Sequence, residues 1–376
     1  MHKVSFNIKD EVISSNDPAE SLQEILQKLS LQSPRNDPHL SRLYRALYRL
    51  IANNTRFRAY ILQLFFERKH QYHNSTLLHF AVLLQKAIQY VLLYEHGVYE
   101  DIHYIDKIKT VTDWKKIINV ILYTQQDLLK KLMTTSSIVT NMAERYIGPL
   151  AIMHGLYDGK SLSIIDLGCS TNRGVRMIME ASRGNYLFHQ IVDNTPNKVI
   201  LQCLLKPISI EKAIGVDRID FDKDENMLAW FLACDHYPTE LKTIPETRAL
   251  LKRLQQVPNT PIVQADLLNV TDYFKPQTFD VVIFSSVLYQ IPLQRRRKTI
   301  ENAYILLKPD GVIIIQDTAY LTERRELIFS PEFGRPYGYR LFIYSNKTAN
   351  RIREILRFKD NRCSEIQAGK DFKYVF

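Results

Sequence analysis

The chain has 376 residues, 45% of them hydrophobic, and carries 50 Lys and Arg against 40 Asp and Glu, a formal net charge of +10. This length holds two domains or one domain with a large extension, and the apolar content excludes a chain too polar to fill a core. The excess charge suits a polyanionic partner but is common in enzymes as well, so by itself it decides nothing. Cys169, Cys203, Cys234 and Cys363 are scattered, with no C-x-x-C pair and no His at zinc spacing. Neither a metal site nor a disulfide framework is expected, and a reducing compartment fits. The N-terminal MHKVSFNIKDEVISS lacks a basic region followed by an apolar stretch, and no run of about 18 apolar residues occurs. The expectation is a cytoplasmic protein without signal peptide or membrane span.

From about Pro18 to Leu156 the apolar residues recur with helical period. Leu22, Ile25, Leu26 and Leu29 form one stripe. Leu40, Leu43, Tyr44, Leu47 and Ile51 form the next, with Asp37 as N-cap and Pro38 at the first helical position. Phe57, Tyr60, Ile61, Leu64 and Phe65 continue it; Ser75 precedes a long helix through Leu77, Phe80, Leu84, Ile88 and Leu92; and Trp114 to Leu132 reads as another. Aromatics at this spacing are core residues before they are a stacking platform, and Arg42, Arg45, Arg49, Arg56 and Arg58 read as a solvated face. Residues 1–155 are therefore expected to form an all-helical domain. Thr140, Asn141 and Arg145, shortly before the first strand, either complete a pocket floor or cap and join the two modules.

Ser161 to Glu180, SLSIIDLGCSTNRGVRMIME, reads as a buried strand, a tight small-residue turn and a helix. Glycine permits positive φ and close approach of backbone to a ligand, and the first N–H groups of the helix point at whatever sits above the turn. The turn is neither G-x-G-x-x-G nor G-x-x-x-x-G-K-S/T, so the dinucleotide and P-loop fingerprints both fail. Beyond it strands and helices alternate: strands at Ala213 to Asp217, Ile262 to Ala265, Phe279 to Phe284 and Gly311 to Gln316; helices at Asp224 to Cys234, Pro245 to Leu254 and Leu293 to Leu307. Tyr339 to Tyr344 and Phe372 to Phe376 are expected as antiparallel edge strands, with a helix at Ala349 to Leu356. About 50 positions separate Asp166 from Asp217, where a minimal βαβ unit needs roughly 30, so residues 185–210 read as an inserted lid or a decoration. Asp217, at the end of the second strand, has the chemistry to accept both hydroxyls of a ribose.

Asp166, Leu167 and Gly168 carry a resemblance to the Rossmann-like, class I S-adenosylmethionine-dependent methyltransferases, whose first motif is an acid, any residue and a G-x-G-x-G turn; Ser170 and Asn172 stand where later glycines are usual. The resemblance implies an α/β fold with a doubly wound, mainly parallel seven-stranded sheet over residues 156–376 behind the helical domain, with S-adenosyl-L-methionine as cofactor. It assigns cofactor binding to Asp166, Gly168, Cys169, Ser170, Asn172, Asp217 with Arg218, Asp266 with Leu267 along the adenine, and Ser285 with Ser286. Tyr289 and Gln290, after the fourth strand, fall where the methyl-transfer site is lined, as substrate contacts or as buried packing.

The Asp/Asn-Pro-Pro-Tyr/Phe signature of DNA amino-group methylation and the Pro-Cys of cytosine-C5 methylation are both missing, and the segment from Ser285 to Pro292 more closely resembles the small-molecule branch of these methyltransferases, which implies a small-molecule acceptor. The alternatives are an RNA or protein acceptor gripped by the basic surface, and a non-catalytic interaction protein of the same fold. Arg295, Arg296, Arg297 and Lys298 read as a solvated helix face. SPRNDPHLSRLYRALYRLIANN, the Thr140–Asn141 pair with Arg145, DLGCSTNRG and VDRIDFDKDENMLAWFLACDHYP further resemble an uncharacterised bacterial family that joins a helical region to a methyltransferase-like domain. That likeness implies architecture and no particular substrate.

Overall fold

A computed structural model describes residues 17–31, 37–72, 76–94, 104–140, 142–185, 191–329, 338–345, 351–359 and 363–376. The N-terminal stretch read for a signal peptide, Ser75 and Asn141 lie outside them. The chain forms two compact units, one from residues 141–224 and 251–376, the other from 13–140 and 225–250. Relative to the boundary expected at 155/156, residues 141–155 go with the sheet and residues 225–250 with the helices.

The helical unit begins with α1 (Pro18–Leu31), α2 (Pro38–Asn53), α3 (Thr55–Gln71) and α4 (Leu77–Tyr94), followed by α5 (Tyr104–Lys107), α6 (Val111–Thr124) and α7 (Gln126–Thr135). Asp37 caps α2 by accepting the Leu40 N–H at 2.8 Å, and Pro38 opens the helix. The single helix expected over Trp114 to Leu132 is two. Gln125 leaves the helical region at φ −131° and its N–H returns to Ile121, so α6 ends there and α7 restarts. α4 is long and apolar enough to cross a membrane by composition, with mean hydropathy 1.4, yet 72% of it is buried in the fold, as in a core helix.

In the sheet unit come α8 (Ile147–Leu156), β1 (Ser161–Leu167), α9 (Arg173–Ser182), β2 (Val192–Asp193), α10 (Val199–Leu204) and β3 (Ser209–Asp217). The chain then supplies α11 (Glu225–Asp235) and α12 (Ile244–Leu254), which begins within the helical unit. Within that unit Gln89 and Lys86 of α4 cap the end of α11: Gln89 Nε2 donates to the carbonyls of Ala233 (2.9 Å) and His236 (3.0 Å), and Lys86 Nζ donates to His236 (2.8 Å). These carbonyls have no partner within their helix, so the buried side chains complete them.

The remaining elements are β4 (Ile262–Gln264), β5 (Phe279–Ser285), α13 (Leu293–Leu306), β6 (Leu307–Asp317), the hairpin β7 (Ala319–Leu321) and β8 (Leu327–Phe329), β9 (Tyr339–Tyr344), β10 (Arg353–Phe358) and β11 (Glu365–Ala368). The main sheet has nine strands in the order β2-β11-β10-β9-β6-β5-β1-β3-β4, two more than expected. β4, β3, β1, β5 and β6 are mutually parallel, and β9 runs antiparallel to β6. β5 is buried at every position, as a strand covered on both faces must be. Strand order reverses at β1, so the crevice above its carboxyl end is a topological switch point.

Three expectations at the C-terminal side are corrected. The helix expected over Ala349 to Leu356 is not found there: residues 351–352 have no regular structure, and β10 pairs with β9, burying Ile355 and Leu356 while Arg340 and Arg357 neutralise the buried Glu354. An open sheet edge outweighs helical spacing. Phe372–Tyr374 is a 3-10 turn rather than a strand, because β11 already occupies that edge. Of the insertion expected at 185–210, residues 186–190 lie outside the described residues; β2 pairs with β11 at the edge far from β3, and α10 packs on α8, so this part decorates the sheet.

Replacing Gln89 by Leu leaves the carbonyl of Ala233 unpartnered. We expect a loss of about 1–3 kcal/mol in urea unfolding, against a near-neutral change for exposed Gln63→Leu.

Candidate active site

β1 ends at Leu167 and the chain bends at once. Gly168 has φ +90°, and a Cβ there would meet Val287 Cγ2 at 2.3 Å. Ser170 and Asn172 sit at φ 52° and 54°. The positions where glycines were missed are thus in the left-handed region that makes glycine usual, and short polar side chains hold it at a cost of roughly 1–2 kcal/mol each. Asn172 compensates by donating Nδ2–H to the Thr260 carbonyl at 3.1 Å. Gly215 of β3 leaves room for the bend, since a Cβ there would lie 2.5 Å from both Asn172 Oδ1 and Cys169 Sγ. Gly174, in the first turn of α9, lies under the ring of Tyr146, whose Cε2 would be 2.0 Å from an added Cβ.

The bend is tied to β3 by Asp217. Its Oδ2 accepts the Ser170 N–H at 2.8 Å and its Oδ1 the Arg218 N–H at 2.7 Å. Burial raises its pKa, and those backbone donors pull it back. Asp166 is 0% exposed. Its Oδ2 accepts the Tyr146 hydroxyl at 2.6 Å, while its Oδ1 is buried without a hydrogen-bond partner. Burial pushes its pKa up to about 7; the Tyr146 hydrogen bond lowers it and the charge of Asp217 raises it. Two acids therefore share one crevice, and the partner of Asp166 is a neutral phenol.

Asp266 follows β4 and is half-buried. Burial raises its pKa, but the Leu268 N–H and the guanidiniums of Arg218 (2.8 Å) and Arg295 (3.1 Å) outweigh it and hold the carboxyl below its usual range. Leu267 packs against the core beside it. The solvated face expected for residues 295–298 holds for Arg297 and Lys298, which are exposed, and is corrected for Arg296 and in part for Arg295. Arg296 is 2% exposed and donates to the carbonyls of Ile291 and Tyr289 (3.1 Å); Arg295 binds Asp266, and Arg297 pairs with Glu301.

Ser285, the last residue of β5, and Ser286 after it are buried, and Ser286 takes φ 59°. The Tyr289 N–H donates to Asp317 Oδ2 at 3.1 Å and the Gln290 amide to the Ser286 carbonyl at 2.9 Å. Burial pushes Asp317 up to about 6. Together Asp317 and Arg296 hold the segment carrying Tyr289 and Gln290 from both sides.

The structure thus gathers Asp166, Gly168, Cys169, Ser170, Asn172 and Asp217 at one bend. Arg218, Asp266 and Leu267 line its β4 side, and Ser285, Ser286, Tyr289 and Gln290 its β5 side. Tyr146, Arg176 and Asp317 were not singled out from the sequence, and Arg296 was read there only as part of a solvated face. Arg176 clamps the bend by donating to the Thr171 carbonyl (3.1 Å) and to both oxygens of Asp222. Nothing local marks Tyr146 or Arg296; a lone acid closing an apolar run, as Asp317 closes β6, was a readable signal. Arg145 is buried over the Tyr339 ring at 5.3 Å. A surface hollow of about 510 Å³ lined by His154, Tyr157, Arg183 and Ser209 lies by the starts of β1 and β3, away from these residues.

The doubly wound sheet, taken with the family match over residues 226–315, supports a class I methyltransferase-like domain. Residues 226–315 match the family model described as a methyltransferase domain; the match takes in Asp266 and residues 285–290 and leaves out the bend after β1. S-adenosylmethionine is the cofactor of this domain class. No curated protein sequence matches the chain. Among solved structures, the chain is similar to a Pyrococcus horikoshii OT3 protein at 17% identity, over 46% of this chain and 58% of that one, with TM-score 0.25. It is also similar to the Burkholderia thailandensis 1,6-didemethyltoxoflavin-N1-methyltransferase, solved with 1,6-didemethyltoxoflavin and S-adenosylhomocysteine, at 13% identity over 56% and 61%, TM-score 0.27. A SAM-dependent methyltransferase from Archaeoglobus fulgidus matches at 13% over 48% and 55%, TM-score 0.25. The chain spans little more than half the length of these proteins.

Because folding raises the pKa of Asp166 from near 4 to about 7, the native state prefers the protonated carboxyl, and this contribution to stability is lost as pH rises through about 7. Asp166→Asn, neutral at every pH and still able to accept from Tyr146, is expected to match the wild type only below about pH 4, where the unfolded carboxyl is protonated as well. At pH 8 it is expected to exceed the wild type by up to about 4 kcal/mol in urea unfolding.

Proposed function

We propose that this protein is an S-adenosylmethionine-dependent methyltransferase acting on a small-molecule acceptor. The observation that carries the reading is the pair of strand-end carboxylates, Asp166 and Asp217, set around a left-handed bend with no cation among the described residues balancing Asp166. Such a crevice favours a ligand with a positive centre beside a ribose. Asp217 already accepts from the backbone N–H groups of Ser170 and Arg218, with Ile219 a third donor, and offers its remaining acceptor capacity to the ribose. Asp166 supplies negative potential for the cationic part of the cofactor. Asp266, already shared by two guanidiniums, keeps an acceptor site on Oδ1 for an adenine amine beside Leu267. Gly168 admits the cofactor close to the backbone, and Ser285 and Ser286 continue the wall.

S-adenosylmethionine, when bound, supplies an already activated methyl group on a sulfonium sulfur. The chain's own task is alignment and exclusion of water, which needs no catalytic acid-base pair. Tyr289 and Gln290, held from beneath by Asp317 and Arg296, line the acceptor side. The small-molecule reading is supported over a nucleic-acid acceptor because two of the four basic residues of α13 are engaged within the sheet unit: Arg295 on Asp266 and Arg296 on two carbonyls.

Calorimetric titration with S-adenosylmethionine, S-adenosylhomocysteine and NAD tests the proposal. Both sulfur nucleosides are expected to bind and NAD not, with Asp217→Asn weakening both at least tenfold while the circular dichroism spectrum is unchanged. Affinity for the sulfonium compound relative to the neutral thioether is expected to rise between pH 6 and 8 as Asp166 ionises. Absence of binding by either nucleoside overturns the reading, and tight, steeply salt-dependent RNA binding would move the acceptor to nucleic acid.

A further inference from the structure

We propose that Tyr146 is a positioning residue of this site: its hydroxyl occupies Oδ2 of Asp166 and leaves Oδ1 as the free acceptor facing a cationic ligand, while its ring, seated on Gly174, keys that carboxylate to the helix that follows the bend. The inference rests on the methyltransferase reading and deepens it. Tyr146 belongs to the short 3-10 turn Ala143–Tyr146 that precedes α8, outside the strand-turn-helix unit itself. It is 2% exposed, its hydroxyl lies 2.6 Å from Asp166 Oδ2, and nothing larger than glycine fits beneath it at position 174. Asp166 Oδ1 has no hydrogen-bond partner among the described residues although it is buried, an arrangement that proteins rarely leave uncompensated.

The groups that face Asp166 are Tyr146 from the turn before α8, Asp217 from the end of β3 and Cys169 from the bend, with Arg145 acting on Tyr146 and Arg176 on Cys169. Burial pushes both Tyr146 and Cys169 well above their ordinary values, so each is neutral and Tyr146 is a donor only. Asp217 is the neighbouring anion, and Tyr146 is the group that stabilises the ionised form of Asp166 against it.

Tyr146→Phe keeps the ring on Gly174 and removes the hydroxyl. For the wild type, affinity for S-adenosylmethionine is expected to rise through a midpoint near pH 7. In Tyr146→Phe that midpoint moves up, so the affinity is several-fold weaker at pH 7 and returns to within about twofold by pH 9, with S-adenosylhomocysteine little affected. 3-Fluorotyrosine at position 146, a stronger donor of nearly the same size, moves the midpoint down and keeps the test open should the Phe variant not fold. A Phe variant equally impaired at pH 7 and pH 9, or one identical to wild type at both, overturns the proposal. Carboxyl 13C titration of the ligand-free protein separates the two readings: if the Asp166 signal does not move up in Tyr146→Phe, the positioning role fails whether or not a sulfur nucleoside binds.

Discussion

The crevice above β1 depends on one carboxylate, Asp217, whose hydrogen bonds come from backbone donors. Asp217 accepts the N–H of Ser170 inside the bend and of Arg218 just beyond its own strand, and so joins the ends of two neighbouring parallel strands. Without that acceptor a serine and an asparagine have little reason to remain at positive φ, since each pays locally for the left-handed region. Gly215 completes the arrangement by giving up its own side-chain volume to Asn172 and Cys169. A turn with one early glycine and two polar substitutes therefore reproduces a backbone path that glycines reach without help, and the help comes from the adjacent strand.

Around this bend, charge is distributed unevenly. The β4 side is closed by a shared ion cluster in which Arg218 and Arg295 both bind Asp266, and the acid there is held ionised. The floor is different: Asp166 is deeply buried against a neutral phenol, with Asp217 nearby, and its carboxyl titrates near neutrality. Perturbed carboxyls of this kind cluster where a protein prepares a place for charge. A fourth strand-end acid, Asp317, is buried as well, but its acceptor capacity goes to the N–H groups of Tyr289 and Thr318, and its work is to hold the segment after β5.

The basic run of α13 shows how tertiary context reassigns a surface-looking sequence. Four consecutive cations on a helix suggest a solvated or phosphate-binding face, and charge patterning offers no local reason to single out the second. Arg296 is nevertheless drawn inward, because the segment 289–291 ends without backbone partners of its own and its carbonyls need donors. The same pressure operates in the helical unit, where Lys86 and Gln89, two polar residues on an apolar helix, are spent on the carbonyl end of α11.

The alternation of strands and helices, the apolar runs of β1, β5 and β6, the N-cap at Asp37 and the acids at the ends of β1, β3 and β4 were legible in the sequence, because each is written in local periodicity or in one residue's position within it. What the chain alone did not reveal is where long-range partners decide. The break at Gln125 and the β conformation of residues 353–358 depend on neighbouring helices and an open sheet edge, and the strand expected at the C-terminus was displaced because β11 takes that place. Tyr146, Arg296 and the left-handed roles of Ser170 and Asn172 belong to the same class. Periodicity reports which face of an element is buried, whereas only the folded chain determines which distant group fills a buried hydrogen-bonding site, and here those distant groups shape the bend and set the charge within it.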